Sequence, residues 1–275
     1  RGSIALGVPA AQVRAPPEDG VQANLRFDAL DLDAWQRVFS APPAPGAGAP
    51  GSPAAGSPAA GSAPGPAVPE ALQRYLPDAF ALQAASVRLD GRTLNGVVVG
   101  GSRSGPVWRA NLEARELAGY VEYRQAGRAN PDAGGLYARL SRLSVPEGAA
   151  RQIDALLDEQ PASLPALDIV VEAFELRGRK LGRLEIDARN RGSDDAQREW
   201  RLAKFNLTTP EAAFTASGNW TRVQGAAQAP GGAPQRRTVL NFALDMQDAG
   251  ELLARLGMPD VVRRGRGRMD GQISW

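Results

Sequence analysis

In the stretch LPALDIVVEAFELRGRKLGRLEIDARNRG, residues 164–192, apolar side chains recur at nearly every second position on both sides of a Gly178-Arg179 turn. Successive side chains of a strand point to opposite faces, so a period of two makes a strand with one dry and one wet face. In RLEIDARN, Leu184, Ile186 and Ala188 alternate with Arg183, Glu185, Asp187 and Arg189. That is the pattern of a half-wet antiparallel strand. The segment AAFTASGNW continues it with Phe214, Ala216 and Trp220, and VLNFALDM with Leu240, Phe242, Leu244 and Met246. Between 167 and 176 the alternation Leu167, Ile169, Val171 slips to Phe174 and Leu176, which predicts a bulge or a strand buried on both faces.

Two long segments resemble each other. Those starting at Leu76 and Leu164 share a Leu-Pro opening, a long strand and a Gly-Arg turn, at Gly91-Arg92 and Gly178-Arg179. Each is followed by a Trp-Arg pair, Trp108-Arg109 and Trp200-Arg201. A second echo joins 24–39 to 240–256, where Leu25 and Phe27 match Leu240 and Phe242 and both strands run towards a helix signal. The unit is a set of long hairpins closed by a small edge helix. Capping boxes at Asp33–Gln36, Ser144–Glu147 and Asp248–Glu251 start helices near 34–39, 146–158 and 249–256, and Pro69 with Glu70 opens another near 70–75. The last of the capped helices is expected to meet the sheet through Leu252. Asp28, Asp31 and Asp33 lie close together, but the cap accounts for Asp33 and the spacing of a calcium loop is missing.

The chain divides accordingly into strands with an edge helix at 1–40, an Ala/Pro/Gly/Ser insert at 41–69, hairpin repeats at 70–160 and 161–247, and an edge helix with a further strand at 248–275. The insert, with its GSPAA repeat, has too little apolar surface to offset its ordering entropy. A shorter insert at 223–235 has the same composition. Deleting residues 44–66 is therefore expected to leave the melting temperature within a few degrees of the parent, measured by circular dichroism.

Composition then removes whole classes of chemistry. The 275 residues contain no cysteine and no histidine, which excludes disulfides, Cys nucleophiles, Ser-His-Asp triads and Cys/His metal sites. The 32 basic residues nearly balance the 30 acidic ones, and Lys180 and Lys204 are the only lysines. The overall balance implies no acidic partner, and the run RRGRGR at 263–268 has no aromatic interleaving, so it reads as a solvated approach to a strand in preference to a nucleic-acid site, with salt-sensitive contact to anionic headgroups as the intermediate reading. No Asp or Glu sits in a distinctive catalytic motif, and no cofactor is expected. No stretch is long and apolar enough to span a membrane as a helix. The chain starts without Met and stops within a strand-like stretch, so it reads as a piece of a longer protein with any anchor lying outside it.

A sheet of repeated hairpins must cover its apolar face. Helices are too few, which leaves a second sheet, as in a sandwich, or an apolar ligand; composition alone favours the second sheet.

The residues also carry a resemblance. The stretch 164–192, the strand pair EWRLAKFNLTTPEAAFTASGNW and the run from Asp248 to Gly257, DAGELLARLG, resemble the AsmA-like superfamily and, within it, the large YhdP-type proteins of Gram-negative bacteria. The likeness is closest over 164–275 and extends over 70–145. It implies a mainly β protein, a long antiparallel twisted sheet of repeated hairpins forming an open hydrophobic groove with a few short edge helices. It also implies a periplasmic portion of an inner-membrane-anchored chain that carries phospholipid between inner and outer membrane, with acyl chains as the partner and no enzymatic activity. On that reading Ile169, Val171, Leu184, Ile186, Phe214, Leu240, Phe242 and Leu244 line the groove.

Overall fold

The structure, a computed structural model, describes residues 1–13, 15–35, 76–89, 91–126, 134–146, 165–191, 199–222 and 236–274. Its strands are β1 (Gly2–Leu6), β2 (Val21–Asp31), β3 (Ala79–Leu89), β4 (Arg92–Ser104), β5 (Val107–Glu113), β6 (Leu117–Arg124), β7 (Gly135–Val145), β8 (Ala166–Leu176), β9 (Arg179–Arg191), β10 (Glu199–Thr208), β11 (Ala212–Arg222), β12 (Arg236–Met246) and β13 (Gly267–Ser274). They form one 13-stranded sheet in which spatial order follows chain order from β1 to β13. The sheet is open, and each strand packs against its neighbours in sequence with no second layer among the described residues. The sandwich that composition favoured is therefore not what these strands build.

Pairing is antiparallel except at three junctions, β1–β2, β2–β3 and β7–β8, which are parallel. Strand alternation looks the same whichever way a neighbour runs, but connection length does not. A parallel pair needs a crossover of a dozen or more residues, and the three junctions have connections 7–20, 32–78 and 146–165. The antiparallel pairs β3–β4 and β8–β9 need only the tight turns at Gly91 and Gly178, both at positive φ. The chain thus holds two runs of antiparallel strands, β3–β7 and β8–β13, joined by a parallel step, and the repeat seen in the sequence begins each run.

The helix signals fare unequally. The backbone turns helical at 32–35, and its cap is Asp31, whose Oδ1 accepts from the Ala34 N–H at 2.8 Å. Asp33, the cap expected for 34–39, accepts from the Gly91 N–H at 2.8 Å and lies 3.6 Å from Arg88, tying the helical turn to the β3–β4 hairpin, while its expected partner Gln36 lies outside the described residues. Ser144 belongs to β7, and its hydroxyl donates to Glu175 at 3.2 Å; Glu147, the other end of its expected capping box, lies outside the described residues. The rest of the expected helices at 34–39 and 146–158, the helix at 70–75 and both inserts lie outside the described residues.

The edge helix Ala249–Arg255 forms where expected, and each residue of its motif has a mechanical task. Asp248 is the N-cap and accepts from the Glu251 N–H at 3.1 Å, a bond worth about 1 kcal/mol. At the other end Gly257, at φ 81°, donates to the Ala254 carbonyl and Met258 to the Leu253 carbonyl, the paired bonds of a Schellman ending that needs the left-handed conformation. No residue of the helix is fully buried, Leu252 included. The helix is docked by charge: Arg255 Nε donates to buried Glu211 at 2.5 Å, and its Nη1 to the Lys180 carbonyl at 2.9 Å.

Burial acts to raise the Glu211 carboxyl, but hydrogen bonds from Arg255 and Thr209 outweigh it and hold the group below its ordinary value of 4.5. A carboxyl lowered in the folded state contributes stability that is complete above that ordinary value and lost as pH falls through the depressed one. The melting temperature is expected to decline below pH 4.5, and Glu211→Gln to lie lower at neutral pH with a shallower acid limb. Melting curves at stepped pH check this.

Candidate functional site

Residues paired directly across strands share a face, so the registers show which side chains stand together. From β8 outward, Ile169 pairs with Ile186, Val171 with Leu184, Phe205 with Ile186 and Leu207 with Leu184. Phe214 continues from Leu207 to Leu244, Ala216 from Phe205 to Phe242, and Gly218 from Leu202 to Leu240. On β13 the row ends at Met269, Gly271 and Ile273. All eight sequence-derived positions therefore stand on one face. Two of them, Val171 and Leu184, are buried at 0% and 5% exposure, while Ile169, Ile186, Phe214, Leu240, Phe242 and Leu244 are half-buried.

The same face runs on through the other strands, which the site expectation left out. Leu136 and Ala138 of β7 pair with Leu167 and Ile169, Val121 of β6 with Ala138, Ala110 of β5 with Val121, and Leu112 of β5 with Val99 of β4. Leu82 joins Val99 to Leu25, and Leu25 joins Leu6 at the far edge. The apolar row is thus continuous over the whole sheet. The internal repeat was the signal for it, because each apolar position in the second unit has a counterpart in the first.

Continuity depends on controlled slips of register. On β8, Glu172 and Ala173 together oppose the single residue Arg183, which returns Phe174 to the face of Val171. Of the two readings of the 167–176 slip, the bulge is correct. Arg183 Nε lies 3.2 Å from Glu172 and Nη1 2.5 Å from Glu185, pinning the bulge from the polar side. Ala203 is an extra residue on β10, so Leu202 and Phe205 both reach the apolar face, and Ser141 is an extra residue on β7. Aromatic pairs stiffen the same surface: Trp200 and Trp220 meet edge-on with centroids 4.8 Å apart, and Phe214 stacks on Phe242 at 6.4 Å. The Trp200 Nε1–H is satisfied by the Pro165 carbonyl at 3.2 Å, which lets a polar ring atom sit in an apolar surface.

The opposite face is charged. Arg109 pairs with Glu122 at 2.9 Å, Arg139 with Asp168 at 2.8 Å, and Glu185 with Lys204 as well as Arg183. The hydrogen bond from Lys204 holds the Glu185 carboxyl below its ordinary value, against the opposing effect of burial. Arg139 also lies over the Tyr137 ring at 4.0 Å. Among the described residues no group of three or more acidic side chains is placed to hold a metal ion, and no helix is long and apolar enough to cross a membrane.

The arrangement offers a broad, one-sided apolar surface backed by a charged one. Compared with known proteins, the chain matches a family model described as YhdP protein over residues 1–275. No curated protein and no solved structure matches it.

Proposed function

This chain belongs to the YhdP family over residues 1–275, and from that premise we propose that it is a segment of a bridge-like envelope protein that carries phospholipid between inner and outer membrane. Acyl chains rest on the apolar face and headgroups remain in water. The observation that supports this reading is the unbroken apolar row from Leu6 to Ile273 with no second protein layer over it among the described residues.

The energetics favour such a surface. Each methylene held out of water is worth about 0.8 kcal/mol, so a two-chain lipid crossing an aqueous gap unshielded faces a barrier on the order of 20 kcal/mol. A wall of Leu, Ile, Val and Phe removes much of that barrier. Because the wall repeats from strand to strand, successive positions offer similar affinity, and a lipid can shift along it without falling into a trap. No catalytic residue, cofactor or metal enters the proposal.

Site-specific photo-crosslinking tests it. A crosslinker at Ile186 or Phe242 is expected to capture phospholipid in cells, whereas one at Glu185 or Asn241, a single residue away on the opposite face, is expected to capture none. Absence of lipid adducts at every apolar position tried, on at least three strands, overturns the reading.

A further inference from the structure

Residues 256–270 are exposed without interruption. Within that run Leu256, Met258, Val261 and Val262 are 39%, 46%, 65% and 43% exposed. Arg263, Arg264, Arg266 and Arg268 follow directly, against two acids, Asp260 and Asp270. Arg268 lies 3.9 Å from Asp270, with both side chains well exposed, while Arg263, Arg264 and Arg266 form no ion pair among the described residues.

The loop is built and not merely extended. The Ala249 N–H donates to the Gly265 carbonyl at 2.8 Å and the Met258 N–H to the Leu253 carbonyl at 2.8 Å. A Cβ added at Gly250 would come within 2.6 Å of the Val262 carbonyl oxygen, so the loop backbone lies directly on the helix. The helix in turn is fixed to the sheet by Arg255 and Glu211. Aliphatic side chains held outward on such a frame cannot collapse onto the protein.

The pairing of chemistries narrows the partner. A polyanion such as nucleic acid would take the arginines and leave four aliphatic groups in water, with no aromatic ring to stack a base. A protein interface accepts Met and Arg readily, but a protein partner would have to bring an apolar patch and a matching acidic patch in the same spacing. An anionic bilayer surface takes both: guanidinium groups meet phosphates while short aliphatic side chains enter the headgroup boundary. We propose that the loop 256–268 docks on an anionic lipid bilayer. This is independent of acyl chains on the sheet face, since the loop projects from an end of the strands and uses none of the eight face positions.

Co-sedimentation of the chain with vesicles tests it. Binding is expected to phosphatidylcholine vesicles containing phosphatidylglycerol, not to phosphatidylcholine alone, and to fall steeply as salt rises. Arg263→Ala with Arg264→Ala is expected to weaken binding about twenty-fivefold, each arginine near an anionic surface contributing about fivefold. Val261→Ser with Val262→Ser should weaken it as well while leaving the salt dependence in place. Ile186→Asp should bind vesicles like the parent, so failure of the lipid-carrying reading leaves this result untouched. No binding to the anionic vesicles overturns the proposal. So does full competition by heparin with no effect of the valine changes, which would make the run a general polyanion site. Loss of self-association in the valine variant without loss of vesicle binding would show that a second copy covers the patch, and would overturn it equally.

Discussion

Ile186→Asp is expected to abolish phospholipid capture and leave the chain folded, whereas Val171→Asp is expected to unfold it. The two residues stand on the same apolar face in adjacent strands. They differ in access to water: Val171 is 0% exposed and packs with Ala138, Leu140 and Leu184, while Ile186 is half-buried. A carboxylate at 186 keeps part of its hydration, so the cost is that of lost packing and partial desolvation, on the order of 1–2 kcal/mol. At 171 the charge has neither solvent nor partner, and the penalty exceeds the stability of an ordinary domain's weaker elements, on the order of 4 kcal/mol or more. Urea denaturation measures the stabilities and lipid extraction from the purified variants measures the cargo. If both variants unfold alike, the face is sealed by protein and the chain is a structural β-scaffold.

Gly182→Val carries the second large effect, an expected loss of more than about 3 kcal/mol. Gly182 has φ 80°, and a Cβ there would lie 2.2 Å from the Thr208 carbonyl oxygen, a backbone atom that cannot step aside. The residue faces Phe174 just beyond the β8 bulge. A side chain at 182 therefore strains its own backbone and pushes β9 from β10 at the point where register is being corrected. Gly178→Ala is the control: its φ of 76° is also left-handed, but nothing lies within 4 Å of an added Cβ. Its cost should be the conformational one alone, about 1 kcal/mol. Amide hydrogen exchange across β9 and β10 would show whether the loss is local or spreads through the sheet.

These cases mark how far the residues speak for themselves. Alternation identified the apolar face on β8, β9, β11 and β12, because period two is a direct image of the pleat. The edge helix was legible at both ends, since an Asp cap and a left-handed Gly leave side-chain and backbone signatures that need no tertiary context. The Asp31 cap and the second task of Asp33 were not, because both acids suit a cap locally and the Gly91 amide that Asp33 accepts from lies 58 residues away. Glu211 was equally silent: its value lies in meeting Arg255, 44 residues on. The slip from Leu202 to Phe205 was readable as three-residue spacing, like that from Val171 to Phe174. The parallel junctions were readable only through connection length, since the strands on either side look alike.

Those junctions have a geometric consequence. An odd number of antiparallel strands, as in β3–β7, ends pointing the way it began. An antiparallel step would then invert the next unit, giving alternate units related by a dyad and a sheet with no sense of direction. The parallel step at β7–β8 keeps the starting direction, so that β8–β12 repeats the strand directions of β3–β7. Repetition of that kind preserves polarity: one rim carries the Gly91 and Gly178 turns in equivalent places, and the other rim carries neither. A parallel step after an odd number of strands lets the sheet lengthen from one unit to the next without exchanging its two rims. What distinguishes one rim from the other is thus shared by these two units, and the surface that β3–β12 build has a direction along which top does not become bottom.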